Sequence, residues 1–208
     1  MLKIKICGIT NPEDATLASE LGAWALGFIF YPNSPRYIKP EQVYCIATPE
    51  NIERIGVFVN ESLEDVIEIS KLAQLTIIQL HGDEDREYCL KLKEKCTLPL
   101  IKAFRIKDME DLEKIQNFKE IVSYTLLDSY SENAFGGTGK AFDHGIALEA
   151  KGLGIPLILS GGLNPENILS AQSKVNPYAF DLSSGVEKHP GLKDHHKLKA
   201  LFKAVRGQ

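Results

Sequence analysis

The chain has 208 residues, 44% hydrophobic and 25% charged, with 16 Gly and 10 Pro scattered along it, a composition that fits one globular domain over residues 1–208 and excludes low-complexity sequence. Its 24 Lys and Arg against 28 Asp and Glu give a net charge of -4 with no run of like charge, so neither nucleic acid nor another polyanion is an expected partner. The longest uncharged stretch, Leu21 to Asn33, contains Pro32 and falls short of the roughly 20 apolar residues of a membrane span, and Lys3 and Lys5 interrupt the place where a secretory signal needs an apolar core, so a cytoplasmic protein is expected.

Short apolar, β-branched runs recur along the chain, each followed by a polar turn and a stretch of helical period. They predict strands at Lys3–Cys7, Trp24–Phe30, Arg54–Val59, Thr76–Leu80, Pro99–Phe104, Ile121–Asp128, Pro156–Ser160 and Tyr178–Ser183. Helix starts carry capping chemistry at Asn11-Pro12-Glu13-Asp14, Ser62-Leu63-Glu64-Asp65 and Asn164-Pro165-Glu166-Asn167. Strands alternating with helices imply parallel pairing with right-handed crossovers. Eight such units in so short a chain fit a minimal (β/α)8, or TIM, barrel, with an open doubly wound sheet as the alternative. The helix exteriors suit a monomer or a homodimer equally.

In such a barrel the active site forms at the carboxyl ends of the strands, so the polar residues that stop each apolar run are the candidates. The seventh and eighth ends, Ser160-Gly161-Gly162 and Asp181-Leu182-Ser183-Ser184-Gly185, offer backbone N–H groups and hydroxyls that suit an anion, a phosphate above all; tight turns alone would also use these glycines. Phe135-Gly136-Gly137-Thr138-Gly139-Lys140 fails as a Walker loop, with Ala134 and Ala141 at its ends, and reads as a lid after the sixth strand, Gly137 included.

Of Cys7, Cys45, Cys89 and Cys96, none forms a C-x-x-C pair or a metal-like spacing. Cys7 ends the first strand before Gly8 and a helix start, where amide dipoles can lower a thiol pKa and make it a base or nucleophile; a buried structural thiol is the other reading. Asp128 ends the sixth strand and can deliver a proton across the mouth, or cap the next segment. Arg36, behind Pro35, suits a substrate carboxylate or open solvent, and His81 a wall of the site or the core. Strand parity places Lys5 inside the barrel beneath Cys7, where a buried lysine needs a partner; Asp181, on the strand that would close against the first, is the expected counter-ion.

These motifs in order, Lys5-Ile6-Cys7-Gly8-Ile9-Thr10, Ser34-Pro35-Arg36, Gln79-Leu80-His81-Gly82-Asp83, Leu127-Asp128-Ser129, Gly136-Gly137-Thr138-Gly139-Lys140, Leu159-Ser160-Gly161-Gly162-Leu163 and Ser183-Ser184-Gly185-Val186-Glu187, resemble phosphoribosylanthranilate isomerase over nearly the whole chain. Departures are Asp181-Leu182, where the family tends to have Asp-Val, and Ala141 and His144, where Thr and Trp are frequent. The resemblance implies an Amadori rearrangement in tryptophan biosynthesis that needs no metal, nucleotide or flavin. It also implies Asp128 as acid, Cys7 as base, Arg36 on the anthranilate carboxylate and His81 on the wall. Gly161, Gly162, Ser184 and Gly185 would hold the phosphate, with Gly137, Asp181 and Ser183 also at the substrate. The rivals are a sister barrel enzyme acting on another phosphorylated substrate and a non-catalytic binder of phosphorylated metabolites. A sister synthase relies on lysine and glutamate groups, a histidine-pathway isomerase on paired aspartates, and a binder has no reason to face Cys7 with Asp128.

Overall fold

The structure, a computed structural model, describes residues 2–106, 109–129 and 144–207. Eight parallel strands pair in chain order and close on themselves, the first against the eighth, which realises the expected barrel and discards the open sheet. They are β1 (Ile4–Cys7), β2 (Ala25–Ile29), β3 (Glu53–Phe58), β4 (Ile77–Leu80), β5 (Leu100–Ile106), β6 (Tyr124–Ser129), β7 (Leu157–Leu159) and β8 (Ala179–Leu182). The helices are α1 (Pro12–Glu20), α2 (Pro40–Tyr44), α3 (Leu63–Leu72), α4 (Arg86–Lys95), α5 (Leu112–Gln116), α6 (His144–Gly152), α7 (Ile168–Val175) and α8 (His195–Arg206). The lid expected around Gly137 lies outside the described residues.

The alternation of strand side chains sorts the sequence into two cores. Ala25, Ile55, Ile77, Ile101, Ala103, Leu126, Ile158 and Ala179 point inward and fill the barrel, while Ile4, Ile6, Leu26, Phe28, Ile78, Leu80 and Leu159 point outward under the helices. Each Ile, Leu or Phe side chain among them contributes about 1.5–3 kcal/mol on removal from water. At the amino-terminal end Trp24, Tyr124 and Tyr178 close the bottom, with Trp24 edge-on to both tyrosines at centroid distances of 6.1 and 5.7 Å. Arg54 is almost completely buried on the outer face of β3, where its guanidinium donates to the carbonyls of Val43, Ile46 and Ala73 and so satisfies groups that end α2 and α3.

Asn11 and Ser62 cap their helices as their positions imply, each side-chain oxygen accepting from the backbone N–H three residues on. Asn164 differs. Its Oδ1 accepts from the N–H groups of Glu166 and Asn167, which builds a turn, and α7 begins only at Ile168. An Asn-Pro-Glu sequence can close an Asx turn as well as start a helix, and here the turn wins because it sits directly on the seventh-strand loop. Between β8 and α8 the chain inserts an unpredicted two-stranded ribbon, β9 (Glu187–His189) and β10 (Leu192–Lys193), turning at Gly191 with φ +83. Strands of three and two residues carry too little alternation to show in a sequence.

Candidate active site

A cavity of about 760 Å³, the open solvent at its mouth included, lies at the carboxyl ends of the strands, and Cys7, Arg36, Gln79, His81, Asp128, Gly161, Gly162, Asp181, Ser183 and Ser184 all line it. Apolar Ile29, Val57, Val59, Leu163 and Leu182 also line it. Gly185 does not line it.

Gly161 and Gly162 adopt φ +94 and +62, a pair of left-handed residues that a side chain would strain. The loop they make is pinned from outside, since the Asn167 side chain donates to the Gly162 carbonyl at 2.9 Å and accepts from the Asn164 N–H. Gly185 serves this arrangement by what it lacks: a Cβ there would lie 1.9 Å from the Leu163 carbonyl oxygen. The loops after β7 and β8 are thus held in direct backbone contact, with Ser184 in a short 3-10 turn beside them.

Asp128 is buried, with only 2% of its surface exposed at the end of β6, and His81 stands beside it, Nε2 to Oδ2 3.4 Å. The Gln79 side-chain nitrogen lies 2.9 Å from His81 Nδ1. With the amide donating to Nδ1, a proton on Nε2 points toward the Asp128 carboxyl group. Asp128 Oδ1 has no hydrogen-bond partner among the described residues, so one oxygen of a buried carboxyl is left to whatever fills the cavity.

Across the mouth Cys7 is buried at the end of β1. Burial pushes its thiol pKa up, and the nearby charges of Lys5 and Lys193 offset this only in part. This corrects the expectation of a lowered thiol pKa: the loss of water around the sulfur outweighs any favourable dipole. Lys5 lies wholly inside the barrel with its Nζ 2.9 Å from Asp181 Oδ2, the contact expected from strand parity. Asp181 and the thiol outweigh the burial that lowers the Lys5 pKa, and hold it above its ordinary value.

Arg36 reaches the cavity, but its guanidinium is clasped by Glu187, which accepts from Nε at 2.9 and 3.1 Å and from Nη2 at 2.7 Å. The Nη1 edge is not engaged by Glu187. Burial raises the Glu187 pKa, yet Arg36 and Lys193 together hold it below the ordinary carboxylate value. Lys193, buried on β10, donates to Glu187 at 2.7 Å and to the Cys7 carbonyl at 2.5 Å. Glu187, Lys193 and Gln79 therefore support the site without having been singled out from the sequence. Glu187 and Gln79 stand within the motifs at the strand ends, whereas Lys193 sits in an exposed-looking Gly-Leu-Lys-Asp stretch that gives no signal. Among the described residues no three His, Cys, Asp or Glu side chains gather as metal ligands, and no helix is long and apolar enough to cross a membrane.

Residues 4–204 match the family model of N-(5'-phosphoribosyl)anthranilate isomerase. The curated enzyme of that name from Geotalea uraniireducens is 46% identical over 209 residues, covering the full length of both chains. The crystal structure of the Thermotoga maritima enzyme superposes with a TM-score of 0.92 at 44% identity, again over all of both chains. A further structure of a phosphoribosyl anthranilate isomerase, in complex with reduced 1-(o-carboxyphenylamino)-1-deoxyribulose 5-phosphate, superposes with a TM-score of 0.88 at 42% identity and full coverage. With fold, length and sequence in agreement from end to end, the chain belongs to the phosphoribosylanthranilate isomerase family and is an enzyme of that family.

Proposed function

We propose that this enzyme isomerises N-(5'-phosphoribosyl)anthranilate to 1-(o-carboxyphenylamino)-1-deoxyribulose 5-phosphate, a step of tryptophan biosynthesis, with Asp128 as the acid and Cys7 as the base. The observation that carries the reading is the placement of Cys7 and Asp128 on the wall of one cavity, together with the paired glycine and serine loops of β7 and β8. The ligand bound by the related enzyme carries a phosphate at one end and a carboxylate at the other. In this chain the backbone of Gly161 and Gly162 and the hydroxyls of Ser183 and Ser184 take the phosphate, and Arg36, oriented by Glu187, takes the carboxylate with its remaining edge.

Asp128 protonates the furanose ring oxygen; the C1–O bond breaks and the anthranilate nitrogen supplies the electron pair that forms a protonated Schiff base. That cation acidifies the hydrogen on C2. The Cys7 thiolate takes the proton, the C2–H electrons form the C1–C2 double bond, and the C=N electrons return to nitrogen. The enolamine then gives up its hydroxyl proton and gains one at C1 to become the ketone, and the proton held by Cys7 is exchanged through solvent for the one Asp128 gave, so the cycle closes without an added reactant. A well-placed proton carrier contributes about 10²- to 10⁴-fold. A thiol whose pKa is raised is the stronger base once ionised, and Lys5 beside it supplies the charge that ionisation requires.

The test is turnover of freshly generated phosphoribosylanthranilate, followed as loss of its fluorescence, in the wild type and in Cys7→Ala. Rapid decay that falls by at least about 100-fold in a folded variant supports the assignment. Near-wild-type turnover would transfer the base to another group, and no turnover by folded wild type would reopen the choice between the sister enzymes and the binder.

A further inference from the structure

Lys5 raises a problem that the fold does not solve. Its side chain is fully buried in a barrel interior otherwise lined by residues such as Ala25, Ile101, Ile158 and Ala179. A buried ion pair such as Lys5–Asp181 loses more hydration than its attraction returns when compared with apolar side chains of like volume, so barrel stability alone would favour a hydrocarbon at both positions.

What the pair gains is access to Cys7. Lys5 and Cys7 alternate onto the same face of β1, and both press on Gly27 of β2, where a Cβ would lie 2.8 Å from Cys7 Sγ and 3.1 Å from Lys5 Cε. Because Gly27 has no side chain, sulfur and lysine approach the same point of the barrel wall. Asp181, paired in register with Lys5 across the β1–β8 seam, fixes the far side of the ammonium. The other charges facing the thiol differ in kind. Lys193 on the ribbon meets the Cys7 carbonyl and is matched by Glu187, which also holds Arg36, while Asp128 and His81 stand on other strands of the cavity wall.

We propose that Lys5, clamped by Asp181, is a positioning residue whose fixed positive charge makes the Cys7 thiolate accessible at a buried position, so that the pair sets the strength of the base. The proposal rests on Cys7 being the base. Asp181 has a double effect: it holds the ammonium in place and charged, and its own negative charge opposes the thiolate.

The experiment reads the thiol directly. Iodoacetamide alkylation of Cys7 in the full chain is followed by peptide mass spectrometry across pH, with kcat/KM measured on the same preparations. Lys5→Met should slow alkylation at a fixed pH at which the wild-type thiol is mostly protonated by at least about tenfold, the equivalent of one pKa unit. The acidic limb of kcat/KM should move up with it. Asp181→Asn keeps a side-chain oxygen to accept from the ammonium and removes only the opposing charge, so it should act in the opposite direction and speed alkylation. Should Lys5→Met fail to fold with Asp181 left buried and alone, Lys5→Met/Asp181→Asn removes both charges and should still alkylate more slowly than wild type, because Lys5 is the stronger influence on the sulfur. A folded Lys5 variant alkylated at the wild-type rate at every pH overturns the proposal, as does an Asp181→Asn shift in the same direction as Lys5→Met. A lysine that only supported the fold would lower the folded fraction without moving either pH profile. Active Cys7→Ala would refute the base while leaving the alkylation shifts intact, so the two readings fail separately.

Discussion

Gly185→Ala isolates the contact that couples the two phosphate loops. Gly185 has no left-handed φ, so alanine is conformationally acceptable and the whole effect comes from space. The added methyl would sit 1.9 Å from the Leu163 carbonyl oxygen and 2.9 Å from its carbon, where ordinary contact begins at 3.4 Å. Both obstacles are backbone and cannot rotate away, so the loops after β7 and β8 must part by more than about an ångström. Overpacking of this kind costs about 1–3 kcal/mol of stability, and a displacement of about 1 Å in a positioning group costs on the order of 100-fold in rate. The expected result is a kcat/KM on the order of 100-fold below wild type, carried mainly by a rise in KM because the phosphate is remote from the reacting carbons, with a lowered Tm. Gly152→Ala at the end of α6, where nothing lies within 4 Å of the new Cβ, is the matched control and should leave KM unchanged and not lower Tm. Fluorescence kinetics and thermal denaturation of both variants decide the matter. Wild-type KM and Tm in Gly185→Ala would refute the claim that this backbone contact sets the cradle.

Asp128→Asn keeps the shape of the site and removes the ionisable proton; turnover should fall about 10²- to 10⁴-fold while the reduced product analogue still binds within a few-fold of wild type by calorimetry. Loss of that affinity would make Asp128 a structural residue instead. Glu187→Gln leaves Arg36 and Lys193 without their buried counter-charge and should cost about 3–5 kcal/mol in urea unfolding at neutral pH. Because the folded pKa of Glu187 lies below its ordinary 4.5, its stabilisation is present above that value and is lost as pH falls through the folded pKa. The gap between wild type and Glu187→Gln should therefore narrow below pH 4.5, and a gap independent of pH would show that the loss is one of packing.

The barrel was legible because each strand is a short apolar run that stops at a polar residue, and the same stops mark the cavity. Asp128, His81 and Cys7 could be placed by the one rule that strand ends face the mouth. Parity along β1 went further and paired Lys5 with Asp181, residues 176 apart. What stayed hidden has physical causes. Arg36 could be placed at the mouth, but its clasp by Glu187 depends on a ribbon whose strands are too short to show a period. The direction of the Cys7 pKa depends on burial, which no local sequence reports. Asn164 followed a helix-capping spelling that a turn shares, and the difference is made by Asn167 reaching back to the loop.

The β1–β8 seam has a consequence for how the enzyme comes into being. Cys7 is made early, yet Asp181 and Lys193, the groups around it, lie far along the chain and meet it only when the last strand docks on the first. Contacts of such long range carry a large loop-closure entropy and form late. A refolding chain should therefore regain helix and most of its barrel before Cys7 meets Asp181 and Lys193, and on the ribosome the thiol keeps the titration of an exposed cysteine until the eighth strand has emerged.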